Sequence, residues 1–395
     1  MRNLSDTISR LSTLKTMTMR APVAPHVDRL ADLGPFGSNP GALGAKAFLP
    51  KTEGGALPLV VVLHGCTQSA AQYDHGVGWS QLAEQAGFAL LFPEQSRANN
   101  LNRCFNWFEP SDWRRDAGEA LSIRQMIDHM IATQPVDRQR IYVTGLSAGG
   151  AMASVMLAAY PELFAGGAII AGLPYAVAAT IPEAFDRMRA HGMPDGPGLR
   201  KLLPAARPAG GWPTISVWHG TADQTVSIDN ADAIVEQWRG VHHLAEEPDE
   251  RTQEGRLRRS LWRDKDGRIC IEQMLISGMG HGTPLDDKGP EALGEAGPFM
   301  LDVGISSTRL IAERWGLIAS DTTGRQPSVA KRAAGTARTR ALEPDEVLRT
   351  HEMPTQAGPR DEGSNRRAEK GGAAADGADG IRTVIEKALR QAGLI

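Results

Sequence analysis

Cysteine is nearly absent from this chain: 395 residues hold three, Cys66, Cys104 and Cys270. Three thiols cannot make a disulfide framework, and none stands at a zinc-site spacing, so no structural metal is expected. Aromatic residues are also scarce, at 5%. Among them Trp outnumbers Tyr eight to four, and Trp107, Trp113, Trp212, Trp218 and Trp262 fall in the segments that carry the motifs below. Neither sign of charge is in excess. Forty-three basic residues against 46 acidic ones give a net charge of -3, which excludes the strongly basic footprint of a nucleic-acid binder. No apolar run approaches the roughly 18 residues of a transmembrane helix. Residues 1–27 carry basic side chains but no apolar h-region, so no secretory signal is recognised there. Their Leu4, Ile8, Leu11 and Leu14 recur at helical spacing, and the extension 1–37 is expected to supply a surface helix or docking arm. No internal repeat is visible.

An apolar content of 41% is enough for a core of ordinary size. The length fits one large α/β domain with extensions, or two to three domains. Leu57 to Leu63 is a continuous apolar run, as is Phe88 to Phe92, and both read as buried parallel strands. Asp74 to Ala86, Asp116 to Thr133, Ile228 to Trp238 and Ser306 to Leu317 read as helices. Phe164 to Gly172 and Thr214 to Trp218 read as strands. Leu257 to Arg263 and Ile269 to Ile276 flank an Asp-Gly turn and read as a hairpin. Strands alternating with helices predict an α/β fold, a doubly wound and mostly parallel sheet. Residues 173–213 interrupt the alternation and read as an insertion, a candidate lid. After residue 319 bulky apolar residues become rare. The stretch 319–380 is expected to be disordered, and 381–395 recovers a helical pattern with Ile381, Val384, Ile385 and Leu389. The main domain is therefore placed at 38–318.

Within that domain, Gly145-Leu146-Ser147-Ala148-Gly149 follows a β-branched run and precedes a helix of small residues, Ala151 to Ala159. Gly-x-Ser-x-Gly alone is a weak signal. Between a strand and a helix it has the layout of a nucleophile elbow, where a sharp turn lifts the serine hydroxyl to the surface. Such a serine needs a base, a group that orients the base, and donors for an oxyanion. The base candidate is His281, between Gly280 and Gly282 on a loop after the last strand of the main run. No packing need explains a histidine there. The orienting acid is Asp223, in His219-Gly220-Thr221-Ala222-Asp223, directly after a strand. A helix-capping role is the alternative, and Asp229 and Asp232 lie nearby. The oxyanion donors are expected to be the backbone N–H groups of Ala148 and of Cys66, the latter in the turn after His64-Gly65. His64 and His219 precede glycines and could shape the site. Trp107 and Phe108 either line the cleft or pack their loop. Cys66 and Cys104 sit on loops after strands on the side of the elbow, and they are either a bridge or two free thiols. Cys270 reads as plain core.

These segments together resemble the polyhydroxybutyrate depolymerase-type esterases of the α/β-hydrolase superfamily. The resemblance is carried by Leu63-His64-Gly65-Cys66-Thr67-Gln68, by Cys104 to Phe108, by Gly145 to Gly150, by His219 to Asp223 and by Gly278-Met279-Gly280-His281, and it covers roughly residues 38–318. It implies an α/β-hydrolase fold and hydrolysis of carboxylic esters without a cofactor or metal. Ser147, Asp223 and His281 fall on the triad positions; His64, Trp107 and Phe108 are the substrate-binding candidates by their own place on the loops. The implied substrates are poly(3-hydroxybutyrate), short acyl esters, acetylated xylan or feruloylated polysaccharide. The family is often secreted, so an extracellular location is implied, with a cytoplasmic one as the alternative because no signal is recognised. No separate polymer-binding domain is expected. The rival readings are a peptidase or thioesterase, which the same triad would serve, and a non-catalytic binding protein on a hydrolase scaffold.

Overall fold

The run Leu57–Leu63 is a strand in which every residue is buried. Leu59, Val61 and Leu63 belong to one hydrophobic cluster, and Val60 and Val62 to another. This strand therefore has apolar layers on both faces, which is why it is continuous rather than alternating. The computed structural model in which this is seen describes residues 28–319, apart from 52, 53, 206, 207 and 209. The expected N-terminal helix, the expected disordered stretch beyond 319 and the expected helix over 381–395 lie outside the described residues.

Ten strands make the main sheet: β1 (Ala31–Asp32), β2 (Gly44–Phe48), β3 (Leu57–Leu63), β4 (Ala89–Glu94), β5 (Val136–Leu146), β6 (Gly166–Ile170), β7 (Thr214–Gly220), β8 (Glu250–Glu254), β9 (Leu257–Arg263) and β10 (Ile269–Ile276). Their order is β1-β2-β4-β3-β5-β6-β7-β10-β9-β8. The six central strands from β4 to β10 are parallel, and the margins on either side are antiparallel. The chain steps from β3 to its neighbour β4, crosses back to β5 on the other side, and proceeds outward. The crevice beyond the carboxyl ends of β3 and β5 is thus a topological switch point, where open α/β sheets bind ligands. A two-stranded parallel ribbon, β11 (Thr283–Leu285) with β12 (Met300–Asp302), follows the main sheet.

The helices are α1 (Ala70–Val77), α2 (Trp79–Ala86), α3 (Pro110–Trp113), α4 (Gly118–Thr133), α5 (Ala148–Ala159), α6 (Ile181–Met188), α7 (Gly196–Leu202), α8 (Asp229–His242) and α9 (Ser307–Arg314). Helices α4, α5 and α8 supply Ile123, Met152 and Ile234 to one face's core, and α1, α2 and α9 supply Tyr73, Leu82 and Ile311 to the other. No helix among the described residues is long and apolar enough to cross a membrane.

Two departures from the sequence pattern have local causes. The single helix expected over 74–86 is two helices, broken at Gly78. That residue has φ 72°, and a Cβ on it would stand 2.5 Å from the Gly294 backbone nitrogen. Strand β8 was not expected, because Glu250–Glu254 is an edge strand exposed at every residue and shows no alternation. The segment 173–213 is tied along α8 by buried amides. Gln237 donates to the carbonyls of Tyr175 and Leu199 and accepts from the Tyr175 N–H, and Asn230 donates to the carbonyls of Arg187 and Met188.

Candidate active site

Ser147 sits between β5 and α5 with φ 57° and ψ -117°, a region that L-residues rarely occupy. Such strain costs about 1–3 kcal/mol and persists only where the surroundings over-determine it. Here the Ser147 N–H donates to the Ile170 carbonyl at 2.9 Å and its own carbonyl accepts from Ala151 N–H at 2.8 Å. The flanking glycines are steric necessities. A Cβ at Gly145 would lie 2.4 Å from the Gly149 carbonyl oxygen, and one at Gly149 would lie 2.4 Å from that of Leu63. The elbow is therefore pressed directly onto the end of β3, the strand that leads into the turn holding Cys66.

The acid and histidine loops are stitched together at the ends of β7 and β10. Thr221 N–H donates to the Ile276 carbonyl, Ala222 N–H to that of Met279, and Gly278 N–H to Thr221 Oγ1. Gly220 is again forced, since a Cβ there would meet the Met279 carbonyl oxygen at 2.3 Å. This brings His281 into line between two partners. Its Nδ1 is 2.7 Å from Asp223 Oδ2 and its Nε2 is 2.9 Å from Ser147 Oγ. A carboxylate only accepts, so Nδ1 carries the proton and Nε2 is free to accept from the serine. Asp223 Oδ1 accepts the N–H groups of Thr225 and Val226 at 2.8 and 2.9 Å. Its side chain is fully buried. Burial alone would raise its pKa, but hydrogen bonds from His219, His281 and Val226 outweigh it and hold the carboxyl well below the usual carboxylate range. The two other acids near it in sequence are engaged elsewhere: Asp229 with Ser227 Oγ and Asp232 with Gln273.

The turn after β3 is held at nearly every amide. Gly65 N–H donates to Gln68 Oε1, Thr67 N–H to the Asn102 carbonyl and Gln68 N–H to that of Gly65. Cys66 N–H has no partner among the described residues, although the Cys66 side chain is disulfide-bonded to Cys104. Ala148 opens α5, where a first-turn N–H has no intrahelical acceptor. Cys270 is a buried free thiol.

Two residues expected beside the substrate are elsewhere. His64 is 1% exposed, so it offers no surface to a ligand. Its Nε2 accepts from Gln95 N–H at 3.1 Å and its Nδ1–H donates to the Gly65 carbonyl at 2.7 Å. Burial lowers its pKa to about 4, so it stays neutral and orients the Gly65–Cys66 peptide from beneath. Trp107 is 5% exposed and packs in the core, edge-on to Phe108, while Phe108 keeps part of its surface open.

Sequence reasoning missed Gln95, Glu119 and Phe299. Glu119 is 1% exposed and accepts from Gln95 Nε2 at 2.5 Å and from Asn106 N–H at 2.8 Å; Gln95 Nε2 also donates to the Cys104 carbonyl. Burial, with the nearby Asp112 charge, pushes the Glu119 pKa up to about 8. The available signal was an acid four residues before Ile123 on the apolar face of α4. Phe299 packs edge-to-face on His281, with ring centroids 6.1 Å apart. It has φ 63° in a loop that carries no motif.

Comparison with known proteins follows the same lines. The sequence model of the family described as Esterase PHB depolymerase matches residues 45–257. The chain is 41% identical over 320 residues to poly(3-hydroxyalkanoate) depolymerase C of Paucimonas lemoignei, spanning 77% of this chain and 75% of that one. It is 30% identical over 274 residues to an acetylxylan esterase of Coprinopsis cinerea, spanning 67% and 72%. The solved acetyl xylan esterase from Aspergillus awamori shares its fold, with a TM-score of 0.61 at 21% identity over 73% of this chain and 99% of that one. The chain belongs to the Esterase PHB depolymerase family and is a carboxylic ester hydrolase on an α/β-hydrolase fold.

Proposed function

We propose that this esterase cleaves 3-hydroxyalkanoate polyesters or their oligomers by two-step acyl transfer through Ser147. The observation that carries the mechanism is the hydrogen-bonded row Asp223–His281–Ser147, at 2.7 and 2.9 Å, with a Cys66 N–H that has no partner among the described residues. In this reading His281 Nε2 takes the Ser147 proton as Oγ attacks the ester carbonyl. The N–H groups of Cys66 and Ala148 hold the oxyanion, and His281 returns the proton to the departing alcohol. Water then enters, His281 removes its proton, and the acyl group leaves as the acid with Ser147 restored. Asp223 holds the imidazole tautomer and offsets the imidazolium charge throughout. The depolymerase relative from Paucimonas lemoignei supports the polyester substrate. The acetylxylan esterase relatives support acetylated polysaccharide as the second reading. The Cys66–Cys104 bridge supports work in an oxidising compartment, outside the cytoplasm.

The test is Ser147→Ala with a substrate panel. The variant is expected to lose p-nitrophenyl butyrate hydrolysis and fluorophosphonate labelling with an unchanged melting temperature. Retained hydrolysis refutes the assignment of Ser147, and an unlabelled wild type refutes catalysis by this serine in favour of a binding role. In the panel, 3-hydroxybutyrate oligomers are expected to exceed acetyl-xylan and feruloyl esters in kcat/KM. The reverse ranking replaces polyester by polysaccharide ester.

A further inference from the structure

His219 lies near the end of β7 and is fully buried. Asp223 Oδ2 faces two imidazoles, His281 Nδ1 at 2.7 Å and His219 Nε2 at 3.4 Å. The same His219 Nε2 lies 2.9 Å from the Val226 carbonyl oxygen. Both neighbours are acceptors, so Nε2 carries the proton. The other ring nitrogen, Nδ1, is buried with no hydrogen-bond partner among the described residues. A buried orphan of this kind is unfavourable and calls for an explanation. An apolar side chain would fill the space without it. What the imidazole adds is one N–H, and that N–H points at the acid turn.

The turn itself is closed from both ends of one residue. Val226 N–H donates to Asp223 Oδ1 at 2.9 Å, and the Val226 carbonyl accepts from His219. The Oδ1 bonds fix the carboxylate relative to its own turn. The His219 bond, together with that of Asp223 N–H to the Gly220 carbonyl at 3.3 Å, fixes that turn to the strand that carries it. We propose that His219 is a positioning residue for ester hydrolysis: its Nε2–H, shared between the Val226 carbonyl and Asp223 Oδ2, holds the acid turn so that Oδ2 meets His281 Nδ1. The proposal rests on Asp223 being the acid of the triad.

The test compares glutamine and asparagine at position 219. The Gln amide nitrogen reaches the place of imidazole Nε2, whereas the Asn side chain ends near Nδ1 and cannot reach the turn. With p-nitrophenyl butyrate, His219→Gln is expected to keep kcat within about fivefold of wild type and His219→Asn to lose about twentyfold or more, with KM within about threefold for both. Equal kcat values for the two variants, or a loss carried by KM, overturn the proposal. If His219→Asn does not fold, His219→Met, which fills the ring volume without an N–H, is judged by the same criteria. A cycle with Asp223→Asn supplies the second readout. In that background the change at 219 is expected to alter kcat by less than about twofold, and a full second loss overturns the proposal. Fluorophosphonate labelling keeps the two assignments apart. An unlabelled wild type tells against the triad, whereas a labelled wild type with indistinguishable Gln and Asn variants tells against His219 alone.

Discussion

Asp223→Asn replaces one carboxylate oxygen with an amide nitrogen, and the surroundings dictate which one. Oδ1 accepts two backbone N–H groups, so the amide oxygen takes its place and the NH2 group takes that of Oδ2. The NH2 then faces His281 Nδ1 and His219 Nε2 and can accept from neither. His281 is left to accept at Nδ1 and to carry its proton on Nε2. The N–H now points at Ser147 Oγ, 2.9 Å away, and the serine proton has nowhere to go. In Ser-His-Asp sites a wrong tautomer lowers kcat about 10⁴-fold, which is about 5.5 kcal/mol of barrier. The Asp223 side chain is fully buried and offers no surface to a substrate, so KM is expected to stay within about threefold. Initial rates with p-nitrophenyl butyrate over a concentration series separate the two constants. Asp229→Asn is the control, because among the described residues the Asp229 carboxylate bonds Ser227 Oγ and not His281, and its kcat is expected within about twofold of wild type. A tenfold or smaller loss in Asp223→Asn, or an equal loss in Asp229→Asn, would refute the reasoning.

Two further outcomes follow from the groups beneath the Cys66 turn. Cys104→Ser opens a bridge between residues 38 apart in sequence and is expected to cost about 4 kcal/mol by loop entropy, read as a lower melting temperature. Its kcat should fall only about tenfold, less than the 10²–10³ of a lost oxyanion donor, because the Thr67–Asn102 and Gly65–Gln68 bonds still hold the turn; wild-type activity in this variant would show that the bridge does not support the turn. Glu119 has its pKa raised to about 8, so the folded state keeps a proton that the unfolded chain sheds near pH 4.5. Stability from this group is full below that pH and is lost as pH rises toward 8, on the order of 5 kcal/mol in all. Glu119→Gln removes the titration, so its melting temperature relative to wild type should improve between pH 5 and pH 8, and a constant difference across that range would refute the pKa.

What was legible in the sequence and what was not divide along a physical line. Gly145, Gly149 and Gly220 are required by backbone crowding within a few residues of the site, and Ser147, Asp223 and His281 sit on turns and loops that follow the carboxyl ends of strands, where a rigid frame positions them. Such demands leave local traces: glycines, turn residues and a strand just before them. The sheet was legible for the same reason, since burial on both faces makes β3 uniformly apolar. The roles of His64, Trp107, Glu119 and His219 depend instead on which of two surfaces a side chain meets. His64 follows a strand and precedes a glycine just as a ligand-facing histidine would. It is buried because Gln95 N–H, 31 residues away, takes its second nitrogen. Nothing local records that partner. Cys66 shows both cases in one residue. Its N–H is an expected oxyanion donor read from the Gly65 turn, and it has no partner among the described residues. Its sulfur is bonded to Cys104, one of the two readings the sequence left open, and the loop after β4 that brings Cys104 there is itself tied to the turn by the Thr67–Asn102 bond. The side chain thus anchors the same turn whose Cys66 N–H has no partner among the described residues, and for this reason replacing the far end of the bridge, Cys104, tests the turn without touching the proposed donor.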